Sequence, residues 1–211
     1  MCAVLFVAVP QPDHGDFVYA YDELYLRNCD AETFGKEMYH RAQGQLFEAF
    51  IIDRHGGAIS SMDTGSSTEH AYSEALRRYK VGSEATGANF IWGMDDRKGG
   101  VEAVRSWLRL REDGTTKLRI FEDKCPNLVQ EFKYYKFERD PQGNITDMPS
   151  RKGENHQMDN LRYLACHRPK FVRPKAVPQR INPLVLAMRR EKEEHNQYKG
   201  GVNLGPLELV P

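Results

Sequence analysis

Short apolar stretches alternate with polar turns along the chain, and the period of each stretch predicts its element. AVLFVAV, residues 3 to 9, is a strand that begins almost at Met1. A turn from Pro10 to Gly15 leads into a second strand, Phe17 to Arg27. There Phe17, Tyr19, Tyr21 and Glu23 share one face, with Val18, Ala20, Asp22 and Leu24 on the other. The two strands form an antiparallel hairpin. Asp30 caps a helix whose buried stripe is Ala31, Phe34, Met38 and Ala42, and Gly44 ends it. Leu46 to Asp53 (LFEAFIID) is a strand, nearly all apolar at its end as a central buried strand is.

The small, polar run Ala58 to Gly65 is a loop. Ser67 or Thr68 starts a helix to Tyr79, buried through Ala71, Ala75, Leu76 and Tyr79. After a flexible connection, Gly82 to Ala88, comes a short strand, Phe90 to Trp92. Met94 to Gly100 (MDDRKGG) is a turn whose Asp95 and Asp96 are solvated. Val101, Val104, Trp107 and Leu108 mark the next helix, and Leu118 and Ile120 a strand. Pro126 suits the first turn of a helix carrying Leu128, Phe132 and Tyr135. Asp140-Pro141-Gln142-Gly143 is turn chemistry. Asn155 to Cys166 is a last helix, capped by Asn155. Met158, Leu161 and Ala165 line its core face, and His156, Asp159 and Tyr163 another.

The 211 residues suit one domain plus an extension, divided as 1–166 and 167–211. From 167 to 190 the chain holds repeated prolines and seven Lys or Arg with no acid, so the end is a Pro-rich basic tail without regular structure. Arg168, Lys170, Arg173, Lys175, Arg180, Arg189 and Arg190 suit either phosphate contacts or a solvated surface. Thirty Lys and Arg balance thirty Asp and Glu, so composition points to no nucleic-acid partner. Cys2, Cys29, Cys125 and Cys166 show no metal-ligand spacing and read as reduced thiols. No apolar run reaches membrane-spanning length, which excludes a helical membrane anchor within the sequence.

Two acids stand out. Asp53 leaves a buried apolar strand just before Arg54-His55-Gly56-Gly57, where open α/β sheets bind ligands, although a strand-end Asp can equally cap a turn. Asp159 shares a helix face with His156.

CPNLVQEFKYYKF, then DPQGNITDMP, then NHQMDNLRYLA, in that order over about fifty residues, resembles the C-terminal nuclease domain of bacteriophage terminase large subunits, the DNA-packaging motors of tailed phages. The resemblance extends more loosely over residues 1 to 166. It implies an α/β fold, an RNase H-like mixed sheet flanked by helices. It also implies metal-dependent endonucleolytic cleavage of concatemeric viral DNA during head filling, in the host cytoplasm. Double-stranded DNA, the portal and the small terminase subunit are the implied partners.

The family places three carboxylates around two Mg²⁺ or Mn²⁺ ions, hard cations that take oxygen ligands. Asp53 and Asp159 match two of them and must converge at the end of the sheet, with His156 and Glu23 as neighbours. Lys124, Lys133, Lys136, Arg151 and Lys152 are candidate phosphate contacts. The first strand of the family and its Asp have no counterpart, since Asp13 and Asp16 fall in the hairpin turn. No phosphate-binding GxxxxGK[ST] loop occurs, so the chain reads as a C-terminal fragment. The rivals are a DNA- or portal-binding module that has lost catalysis, and another RNase H-like nuclease such as a resolvase. Without the first strand, either the hairpin slides across to pair with Leu46–Asp53 or another segment fills the gap; failing both, the isolated chain is unstable and prone to aggregate.

Overall fold

In a computed structural model, residues 1–60, 65–150, 153 and 155–173 are described. Met1–Arg173 forms one unit. Strand β1 (Cys2–Ala8) pairs antiparallel with β2 (Val18–Leu26), as the alternating sequence predicts. Helix α1 (Ala31–Ala42) starts where expected, with the Asp30 carboxylate accepting the Thr33 N–H at 2.7 Å. Gln43 turns left-handed at its end and Gly44 follows at φ +79°, a conformation glycine adopts without strain.

The next strand is shorter than its apolar pattern suggests: β3 is only Phe50–Ile52. Phe47 instead bonds the loop around Ser83, receiving the Glu84 N–H and donating to the Gly82 carbonyl. Helix α2 (Arg54–Ala58) follows at once. Helix α3 (Thr68–Arg78), capped by Ser67, leads to β4 (Phe90–Trp92), which pairs parallel with β3. The expected turn 94–100 is half helix. Asp96 accepts the Gly99 N–H at 2.8 Å and so starts α4 (Arg97–Leu108) four residues earlier than its first apolar position. Asp95 is not simply solvated either, since it meets His55 Nε2 at 2.9 Å.

Strand β5 (Leu118–Ile120) joins β2 in parallel, and α5 (Pro126–Tyr134) begins on its proline. The polar connection is a hairpin of β6 (Phe137–Arg139) and β7 (Ile145–Pro149). Helix α6 (His156–His167) closes the described fold. Asn155 stands at its N-terminus without capping it through its side chain.

The three-stranded sheet is covered on both faces. Cys2, Phe6 and Leu24 pack with Phe34, Met38 and Leu76 of α1 and α3. Val18, Ala20 and Leu118 pack with Val104, Leu128 and Leu161 of α4, α5 and α6. Leu128 and Leu161 are fully buried, each worth about 1.5–3 kcal/mol relative to exposure. A bulge opposite Phe6–Val7 adds a residue to β2. Beyond it the expected alternation shifts, so Leu24 joins the Phe6 side and Glu23 turns to α5.

The sheet is divided. In order it runs β1-β2-β5, with β3-β4 as a separate pair. The hairpin has not slid across: β1 bonds only β2, and β3 only β4, among the described residues. Of the loop expected at 58–65, residues 61–64 lie outside the described residues, as does the tail from 174 onward.

Candidate metal centre

Between the two sheet pieces lies a cavity of about 440 Å³, lined by Met1–Val7 on one side and Ala49–Asp53 on the other. Asp53 and Asp159 both line it, with His156, Asn160 and Tyr163 of α6. The end of β3 and the first turns of α6 therefore place the two carboxylates on the lining of one cavity.

Asp53 takes the capping role open to a strand-end acid and makes one further bond. Its Oδ2 accepts the Gly56 N–H at 2.6 Å and caps α2. Its Oδ1 accepts the Tyr163 hydroxyl at 2.7 Å. Burial pushes the Tyr163 phenol well up, helped by that hydrogen bond and by the charges of Asp53 and Asp159. The tyrosine therefore remains a donor at any ordinary pH. It is held closely, because a Cβ on Gly93 would stand 2.8 Å from Tyr163 Cγ.

Asp159 stands one turn before Tyr163. Its Oδ1 accepts two hydrogen bonds from Arg162, from Nε at 3.1 Å and Nη2 at 2.7 Å. The guanidinium is buried, while the Asp159 side chain is 41% exposed. Among the described residues Arg162 Nη1 is buried without a hydrogen-bond partner. His156 packs edge-on against the Tyr25 ring, with centroids 6.0 Å apart.

The helix carrying Asp159 is fixed by groups that its own sequence does not contain. Its Gln157 and Met158 N–H groups, at 2.8 and 2.9 Å, donate to Oε2 of Glu131 on α5. Gln157 Nε2 donates to the Val4 carbonyl at 3.1 Å, and Asn160 Nδ2 to the Ala3 carbonyl at 3.0 Å. Burial raises the Glu131 carboxyl to about 7, against the lowering effect of those two amides and Tyr25. Gln157, Asn160 and Glu131 were missed in the sequence. Glu131 was detectable: it lies three residues after Leu128 and four before Tyr135, on a stripe that is otherwise apolar.

Glu23 does not reach the cavity. Its Oε1 accepts the backbone N–H and side-chain Nδ2 of Asn127 at 2.6 and 2.7 Å, and its Oε2 accepts the Leu128 N–H at 3.0 Å. It caps α5 from β2. Lys124, Lys133 and Lys136 are exposed and do not line the cavity, and Arg151 and Lys152 lie outside the described residues. Of the tail cations, Arg168 is the left-handed cap of α6, and Lys175, Arg180, Arg189 and Arg190 lie outside the described residues. Burial pushes the Cys2 and Cys125 thiols up to about 12, which removes both as nucleophiles near neutral pH.

Two carboxylates on one cavity supply hard oxygen ligands, the kind Mg²⁺ and Mn²⁺ take. Among the described residues no group of three or more His, Cys, Asp or Glu is gathered for a metal, so the donor set is partial. No helix among them is long and apolar enough to cross a membrane.

The fold is shared with a solved structure, the nuclease domain of g2p, the large terminase of bacteriophage SPP1, crystallised with bound Mn. The match covers 79% of this chain and 77% of that one, at 20% identity and a TM-score of 0.50. The RNase H-like α/β fold expected from the sequence is thus the fold of this chain. No family model matches the chain, and no curated protein matches it.

Proposed function

We propose that this domain is the nuclease part of a phage DNA-packaging terminase, which cuts concatemeric double-stranded viral DNA in the host cytoplasm. One observation carries the reading: Asp53 and Asp159 line one cavity, in a fold shared with a Mn-bound terminase nuclease domain. Asp53 and Asp159 would hold a divalent ion through their carboxylate oxygens. Such an ion supplies Lewis acidity toward a phosphate oxygen and makes water acidic enough to serve as nucleophile.

The chain's own residues set the geometry. Tyr163 orients Asp53 through the 2.7 Å hydrogen bond and stays protonated beside it. Arg162 holds one oxygen of Asp159 and leaves the other for the ion. His156, on the same first turn, borders the place where a phosphate would enter. Lys124, Lys133, Lys136, Arg151 and Lys152 would guide the DNA backbone, and the portal and small subunit would dock elsewhere. In the resembled family a third carboxylate comes from a strand ahead of the one matched by β1, and such a residue would complete the ligand set.

A second reading, a DNA- or portal-binding module without catalysis, is favoured by the lack of a third clustered ligand among the described residues. Plasmid cleavage with Mn²⁺ separates the two. The chain alone should cut feebly or not at all, and a chain extended by an upstream strand ending in Asp should cut. Asp159→Asn in the extended protein should abolish cutting. Cleavage by that variant at the parent rate would remove Asp159 from the site.

A further inference from the structure

We propose that a second cavity, sharing His156 and Asp159 with the first, is a phosphate subsite in which Arg97 and Tyr135 hold a backbone phosphodiester of DNA, next to the phosphate at the metal centre. The subsite deepens the nuclease function proposed above and rests on it. The cavity measures about 260 Å³, and Asn155 and the end of β7 complete its wall.

Arg97 is its open cation. Its Nη2 donates to the Pro149 carbonyl and stands 3.7 Å from a Glu138 oxygen, too far for a hydrogen bond. Among the described residues its Nε and Nη1 donate to nothing, although the side chain is only 18% exposed. A guanidinium carries five N–H donors in a fixed fork that matches phosphate oxygens. Tyr135, at the end of α5, supplies a hydroxyl that also makes no hydrogen bond among the described residues. Burial raises its phenol, against the nearby charge of Arg162, so it remains a donor. The Asp159 carboxylate does not claim Arg97, because Arg162 already binds it.

Arg97 does not sit there for the sake of its own helix. It opens α4, whose first turn holds no acid. A cation at that position opposes the positive end of the helix dipole, and a bound anion would answer both. Close approach of α4 to α6 keeps the residue in place, since a Cβ on Gly100 would stand 3.2 Å from Arg162 Cβ. With His156 and Asp159 lining both cavities, one DNA strand can set neighbouring phosphates in the two.

The test is binding of a fluorescent duplex of about 20 base pairs to the full chain in EDTA, followed by anisotropy from roughly 50 to 200 mM salt. Each neutralised phosphate contributes about −0.9 to the slope of log K against log salt, so Arg97→Gln should flatten the slope by about 0.9 and weaken binding about eightfold at roughly 0.1 M salt. Arg97→Lys keeps the charge and should restore the slope. Tyr135→Phe removes only a hydroxyl, so it should weaken binding about threefold to tenfold at an unchanged slope. The double variant should bind within about twofold of Arg97→Gln, because both groups serve one phosphate.

An unchanged slope in Arg97→Gln, or fully additive losses in the double variant, overturns the subsite. Should Arg97→Gln fail to fold, parent affinity in Tyr135→Phe overturns it instead. Inorganic phosphate at about 10 mM and constant ionic strength should leave the parent's DNA affinity unchanged. If it lowers that affinity to the level of Arg97→Gln, the cavity takes free phosphate and the DNA subsite is overturned. Nothing is cleaved in EDTA, so the two readings fail separately. The expected slope change in a protein that does not cut when extended retires the nuclease function alone, and cutting with an unchanged slope retires the subsite alone.

Discussion

Raising the pH should destabilise this domain through one carboxylate. Glu131 is 7% exposed, and burial raises it from an ordinary 4.5 to about 7. The neutral form suits the site. Its carbonyl oxygen can accept both α6 amides at Oε2, and its hydroxyl can face Tyr25 at Oε1. Because the folded state binds the proton more tightly than the unfolded state, the stabilisation is fully present below pH 4.5 and is lost as pH rises through about 7. At 1.36 kcal/mol per pH unit, that shift amounts to about 3 kcal/mol. Total stability of such a domain is about 5–15 kcal/mol, so the loss is large.

Glu131→Gln keeps an acceptor for the two amides and cannot ionise. Urea unfolding of both proteins from about pH 4 to 9 isolates the effect from other titrating groups. The stability of Glu131→Gln relative to the parent should rise by about 3 kcal/mol between pH 4.5 and 7 and then level off. A difference that stays flat with pH would refute this account of Glu131.

Glu23→Ala leaves the α5 amides of Asn127 and Leu128 without their acceptor in a buried setting, and should cost about 1–3 kcal/mol in urea unfolding. Gly93→Ala drives a methyl to within 2.8 Å of the Tyr163 ring; it should destabilise the fold by about 1–3 kcal/mol and displace the Tyr163–Asp53 bond, visible as a change in tyrosine fluorescence. Tyr163→Phe keeps the ring and removes the donor, so it should lower the affinity of the extended protein for Mn²⁺ more than its stability. Equal affinity, measured by calorimetry, would separate Tyr163 from the site.

The helices with local caps were legible from sequence, because Asp30 and Ser67 satisfy amides three residues away. That Asp53 and Asp159 face one cavity follows from positions the sequence singles out, one at the end of an apolar strand and the other on a helical face. The length of β3 was not legible, since Phe47 and Phe50 are equally apolar and only the loop at Ser83 decides which one pairs. The start of α4 was hidden because Arg97 to Gly100 carries no apolar period, and the Asp96 cap alone sets it. Glu23 was misread because a bulge reverses the face of every residue beyond it. Its true partners lie 104 and 105 residues away, in α5.

The carboxylates Glu23 and Glu131 also impose an order of disassembly. Helix α5 takes its cap from β2, and α6 takes its cap from α5. With 9 and 12 residues, neither helix is long enough to persist in water by itself. Loss of β2 releases α5, and loss of α5 releases α6, whereas fraying of α6 need not disturb the hairpin. Amides of α6 should therefore exchange through the smallest opening, those of α5 through a larger one, and those of β2 only with the whole domain. Helix α6, which carries Asp159, would be the last to lock in place and the first to let go.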